Sequence, residues 1–127
     1  MEKVYVVVRG DLNPGATCAQ SCHALSAFAA DFPAAHAEWH RRGQNLVVLQ
    51  IPNERELLAL LESALESDAI DRVSVFREPD LGHQLTAIAL DGNARKLVSS
   101  LPLALREPRC ASCRESLTVP SCPRCAA

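Results

Sequence analysis

The sequence predicts an α/β protein, a three-layer sandwich in which a four-stranded mixed β-sheet is flanked by helices, with a small separate module at the C-terminus. Three observations predict it. Val4-Tyr5-Val6-Val7-Val8 is apolar at every position and rich in β-branched residues, which suits a strand buried on both faces. Strand-like and helix-like periodicities then alternate in the order strand, helix, helix, strand, helix, strand, strand, helix. Beyond Pro102 and Pro108 the chain changes character and becomes a short cysteine-bearing tail.

The first strand covers Val4–Arg9. Asn13, Pro14 and Gly15 end it and open a helix over Ala16–Ala30, whose free first-turn N–H groups favour anionic or carbonyl oxygens. Cys18, Cys22, Leu25 and Ala29 recur on one face of this helix, and Gln20 and His23 share another. The cysteines at i, i+4 are expected to face inward as small core residues.

Asp31-Phe32-Pro33 breaks the chain, and Ala34–Arg42 reads as a second helix closed by Gly43. Trp39 is expected as a partly buried anchor beside solvated His36 and His40. Asn45–Ile51 is the second strand. Asn53 caps the next helix, with Glu56 placed as in a capping box. Its apolar positions are Leu57, Leu58, Leu61, Ala64 and Leu65, and its glutamates read as a solvated face.

Asp71–Arg77 and Gln84–Leu90 are the third and fourth strands, and Asn93–Ser99 a short last helix. Right-handed crossovers make the first three strands parallel; the short Glu78–His83 connection makes the fourth antiparallel.

Composition sets the bounds. The 127 residues hold one ordinary domain, 1–105, and an appendage, 106–127, and the hydrophobic share of 48% suffices for a core. No basic-then-apolar leader or long apolar run is visible, so a soluble, cytoplasmic protein with no membrane partner is expected. Residues 1–105 carry nine Lys/Arg against thirteen Asp/Glu, net −4, and residues 106–127 carry four against two, net +2. An acidic body is a weak electrostatic footprint for nucleic acid.

In a reducing compartment, six cysteines point to thiols or metal ligands before disulfides. Cys110, Cys113, Cys122 and Cys125 form two Cys-x-x-Cys pairs eight residues apart. Two such turns facing each other supply the tetrahedral sulfur shell that zinc prefers, so the tail is expected to be a zinc knuckle around a structural Zn²⁺. With all four ligands from the protein the site is closed, which implies a docking surface for a protein partner rather than catalysis. A redox dithiol and an unordered tail are the alternatives.

A second constellation is spread over the body. Arg9 and Asp11 after the first strand, Gln20 and His23 on the first helix, and Asp80, His83, Gln84 and Thr86 around the last hairpin are expected to converge at one end of the sheet. Each also has an ordinary reading: Asp11 as a loop or helix cap, His23 as an interior histidine, Asp80 as a turn residue beside Gly82.

The segments Val7-Val8-Arg9-Gly10-Asp11-Leu12 and Ala19-Gln20-Ser21-Cys22-His23-Ala24, then the capped Leu-rich helix, then Asp80-Leu81-Gly82 and Thr86, resemble the second family of peptidyl-tRNA hydrolases over about residues 3–103. The resemblance implies hydrolysis of the ester between a peptide and the tRNA 3′ ribose, often by a homodimer, with Asp80 at the position of the catalytic aspartate and Thr86 matching a family threonine. It also marks departures. The loop before Gln20 is short, Ala16 stands where the family carries an essential lysine, and Gln84 replaces another threonine.

Two readings follow. In the first the protein acts on peptidyl-tRNA: Asp80 works on water, N–H groups near Ala16 and Thr17 hold the oxyanion, and Gln20, His23 and Thr86 position the substrate beside Arg9, Asp11, His83 and Gln84. In the second it is a hydrolase fold that has become an adaptor, binding a protein through pocket and zinc knuckle. A redox role for Cys18 and Cys22 is a weaker third.

Overall fold

The computed structural model describes residues 3–106. Its strands are β1 (Lys3–Arg9), β2 (Asn45–Ile51), β3 (Val73–Glu78) and β4 (Gln84–Asp91), and its helices α1 (Pro14–Asp31), α2 (Pro33–Arg41), α3 (Glu54–Glu66) and the short α4 (Arg95–Val98). The sheet order is β2-β1-β4-β3. β1 pairs parallel with β2, while β4 lies antiparallel to both β1 and β3. Three strands therefore run one way and the fourth returns, because the β3–β4 connection is too short for a crossover.

β1 and β4 occupy the centre, which explains why both read as nearly unbroken apolar runs. On one face Tyr5, Val7, Ile88 and Leu90 pack under Leu57 and Ala64 of α3 and Val98 of α4. On the other, Val4, Val6, Val8, Ala87 and Ala89 meet Ala24 and Phe28 of α1 and Ala35 and Trp39 of α2. The result is the expected helix, sheet, helix layering. Trp39 is buried outright, and its indole N–H donates to the Asn45 carbonyl at 2.9 Å, holding α2 to the start of β2. The chain after α4 lies along β2: Gln50 N–H donates to the Pro102 carbonyl and Ala104 N–H to that of Val48, so the edge of β2 is partly covered.

Three expectations require correction. α1 buries Thr17, Gln20, Ala24 and Phe28, at i, i+3, i+7 and i+11, while Cys18 and Cys22 are exposed. The rotation is set by Phe28 and Ala24 packing on β1 and β4, and Gln20 tolerates burial because its amide finds partners. The two thiols instead line an apolar groove of about 260 Å³ with Leu25, Leu46, Val48 and Leu105. In α3, Leu57 and Ala64 carry the buried stripe, while Leu58 and Leu65 are left exposed, one position beyond it. Helix α1 begins at Pro14 rather than Ala16, since Asn13 caps it and proline needs no N–H at the first helical position.

The β3–β4 ladder slips once. Phe76 pairs with Ala87 but Arg77 pairs with Leu85, so Thr86 is the extra residue of a β-bulge. Leu85 and Ile88 consequently serve the α3 face, while Thr86 joins Ala87 on the α1 side, where its hydroxyl reaches Gln20. This local break in alternation is what turns Thr86 toward the helix.

Candidate functional site

The residues singled out from the sequence gather where β1 ends and β4 begins, in two groups. The first is a hydrogen-bonded chain from the sheet to the β3–β4 turn. Thr86 Oγ1 donates to Gln20 Oε1 at 2.5 Å, Gln20 Nε2 donates to Glu78 Oε2 at 2.7 Å, and Glu78 Oε1 accepts the Asp80 backbone N–H at 3.3 Å. Thr86 is fully buried and Gln20 nearly so. Its hydroxyl thus reaches any bound molecule only through Gln20.

Glu78 was not among the sequence candidates, though it closes β3 and caps the turn. The Gln20 amide, then the Asp80 N–H and more weakly the nearby His23, hold its carboxyl below the ordinary value of 4.5 against the opposing effect of burial. His23 is not an interior histidine. It is exposed, three residues past Gln20, with its ring stacked on Phe76 at a centroid distance of 4.4 Å.

Asp80 sits on a 3₁₀ turn, Pro79–Leu81, exposed, with its side chain making no hydrogen bond among the described residues. Gly82 and His83 follow with φ of 64° and 61°. Glycine adopts that left-handed conformation freely, and His83 is held there by its N–H donating to the Glu78 carbonyl at 2.9 Å. The His83 side chain is exposed.

The second group surrounds Arg9. Its Nε and Nη2 donate to the two carboxylate oxygens of Asp11, both at 2.9 Å, and Nη1 donates to Gln84 Oε1 at 2.8 Å. Such a fork-on-fork pair fixes the loop after β1. Donation from Arg9 holds the Asp11 carboxyl below its ordinary value of 3.8, and Asp11 in turn raises the guanidinium. The Arg9 charge is thus largely taken up by Asp11. The Leu85 N–H, beyond the ladder, donates to Glu54 Oε2 at 2.8 Å, so at least one α3 glutamate is structural rather than merely solvated.

The expected oxyanion donors are already engaged. Ala16 N–H donates to Asn13 Oδ1 at 2.8 Å and Thr17 N–H to the Asn13 carbonyl at 2.9 Å. Pro14 has no N–H, which leaves the Gly15 N–H as the first-turn donor without a partner among the described residues.

Among the described residues no group of three or more His, Cys, Asp or Glu side chains is arranged to hold a metal. The expected ligands Cys110, Cys113, Cys122 and Cys125 lie outside the described residues. No described helix is long and apolar enough to cross a membrane.

Comparison with known proteins bears on the fold and the family. The chain matches no curated protein. Among solved structures it is similar to a protein of unknown function from Agrobacterium tumefaciens strain C58, at 18% identity and a TM-score of 0.53, with 80% of this chain and 96% of that one covered. That likeness concerns the fold. A family model described as peptidyl-tRNA hydrolase PTH2 matches residues 2–98, the span of the whole α/β body, and by that match the chain belongs to the peptidyl-tRNA hydrolase PTH2 family.

Proposed function

We propose that the protein hydrolyses the ester linking a peptide or a blocked amino acid to the 3′ ribose of tRNA. The observation that carries this reading, beyond the family itself, is the Thr86–Gln20–Glu78 chain, which ties the turn bearing Asp80 to α1 while leaving the Asp80 carboxylate unengaged and open to solvent.

In the reaction Asp80 accepts a proton from the attacking water as its oxygen bonds to the ester carbon. The bond to the ribose oxygen then breaks, and that oxygen leaves with the proton Asp80 took from the water. Gln20, Glu78 and Thr86 are positioning residues, since they hold the turn and touch the reacting atoms only through it. The Gly15 N–H is the backbone donor available to the developing oxyanion. His23, His83 and Gln84, exposed around the same end of the sheet, provide contacts to the terminal nucleotide or the peptide. The tail supports this reading chemically: four thiols in Cys-x-x-Cys pairs form a donor set suited to Zn²⁺, and Arg106, Arg109, Arg114 and Arg124 supply cations for tRNA beside an acidic body.

Turnover of N-acetyl-aminoacyl-tRNA by the full chain, compared with Asp80→Ala, tests the proposal. Release well above background, lost in the variant, is the expected result; equal, background-level release from both proteins overturns it.

A further inference from the structure

At the other end of the sheet from Asp80, a cavity of about 370 Å³ lies between the start of β1, the end of β4 and the start of α4. Its lining brings together Lys3, Arg72 and Arg95 with a single carboxylate, Asp91, and one aromatic, Tyr5. Three of the nine cations of residues 1–105, a segment of net charge −4, therefore face one small space.

Asp91 offsets only one of these three charges. It is buried, and backbone donors occupy both of its oxygens: Oδ2 accepts the N–H groups of Asp71 and Arg72 at 3.3 and 3.1 Å, and Oδ1 accepts that of Asn93 at 2.9 Å. Its one ion pair, with Arg72 Nη1, is 3.8 Å long, beyond hydrogen-bond reach. Lys3 and Arg95 make no ion pair among the described residues. The Tyr5 ring is buried, and its hydroxyl, without a hydrogen-bond partner among the described residues, is reached by solvent; Tyr5 and Arg95 line both this cavity and a neighbouring one over Val98.

Gathering three cations against one carboxylate leaves a local surplus of positive charge, whose electrostatic cost a bound anion recovers. Two guanidinium forks and an ammonium match the charge and oxygen geometry of phosphate, and the volume falls in the ordinary range of small-ligand sites, roughly 300–1,000 Å³. We propose that this cavity binds the phosphate group of a nucleotide, either free or within an RNA chain. The site does not depend on hydrolysis. β1 separates it from Asp11 and Asp80 by about 20 Å, at about 3.3 Å per residue.

The test is a titration of the ¹⁵N-labelled full chain by NMR with inorganic phosphate, AMP, adenosine, and a short RNA bearing no terminal phosphate. Saturable shifts at the amides of Gly92, Asn93 and Arg95 with phosphate and AMP, absent with adenosine, are expected. Shifts with the RNA as well assign the site to backbone phosphates, and their absence assigns it to free nucleotides. Lys3→Gln/Arg95→Gln should weaken AMP about tenfold or more, about the effect of losing a charge-assisted contact. The spectrum itself reports whether this variant is folded; if it is not, the single Arg95→Gln and a salt titration of the wild type replace it, both expected to weaken binding. No saturable shift, adenosine equal to AMP, or unchanged affinity in a folded variant overturns the proposal.

Discussion

The Gln20 side-chain amide donates to the Glu78 carboxylate at 2.7 Å across 58 positions of sequence, and among the described residues it is the one side-chain hydrogen bond from the first helix to the residue that caps the Asp80 turn. Gln20→Leu removes it and leaves the Thr86 hydroxyl with only a long contact, 3.4 Å, to the Phe76 carbonyl. Losing the partner of a buried hydroxyl costs about 1–3 kcal/mol, so the urea midpoint should fall. The Glu78 carboxyl, no longer favoured in its charged form, should rise toward its ordinary value in a carboxyl NMR titration. An unmoved Glu78 would show that the amide is not what lowers it.

Asp11 predicts a pH dependence. Its carboxyl is lowered in the folded protein by donation from Arg9. The pair therefore contributes stability above the ordinary value of 3.8 and loses it as pH falls through the lowered value. Asp11 is 40% exposed, so the contribution is expected below about 1 kcal/mol. Denaturation of wild type and Asp11→Asn should differ at pH 7 and converge under strongly acidic conditions.

Asp80 and Ala16 separate chemistry from folding. Asp80→Ala should change stability by less than about 0.5 kcal/mol, since the side chain is exposed and unbonded. Ala16→Lys tests the cation that the resemblance implies at this position, since Arg9 is paired with Asp11. If the site is otherwise intact, turnover of N-acetyl-aminoacyl-tRNA should rise by about 10²-fold, read as single-turnover release.

Zinc content tests the tail. Purified wild type should hold one zinc per chain by elemental analysis, and Cys113→Ser should hold markedly less. Chelation should leave the thermal transition of the body unmoved, because the described residues of its two core layers run from Val4 to Ala104, short of the cysteines.

The exposed pair Cys18 and Cys22 should react with a thiol reagent in the native state. Cys18→Ser/Cys22→Ser should abolish two fast-reacting thiols at little cost in stability.

The strand run at Val4–Val8, the capped helix after Asn53 and the short β3–β4 connection made the layers and strand directions legible in the amino-acid order alone. Periodicity and turn chemistry are local properties, and local properties survive in one dimension. The family resemblance was legible too, carried by the Arg9-Gly10-Asp11-Leu12 and Ala19–Ala24 segments. Which face of α1 is buried was not, because cysteine and glutamine both change sides according to what they meet. Gln20 goes inside only because Thr86 and Glu78, 66 and 58 positions away, answer its amide.

Chain order therefore determined the elements, their layering and the family. Tertiary structure decided which polar groups act together: the bulge that turns Thr86 toward α1, the neutralisation of Arg9 by Asp11, and the role of Glu78, which no local pattern marks. The physical reason is that a polar side chain takes its role from its partner, and these partners meet only when distant strands and helices pack.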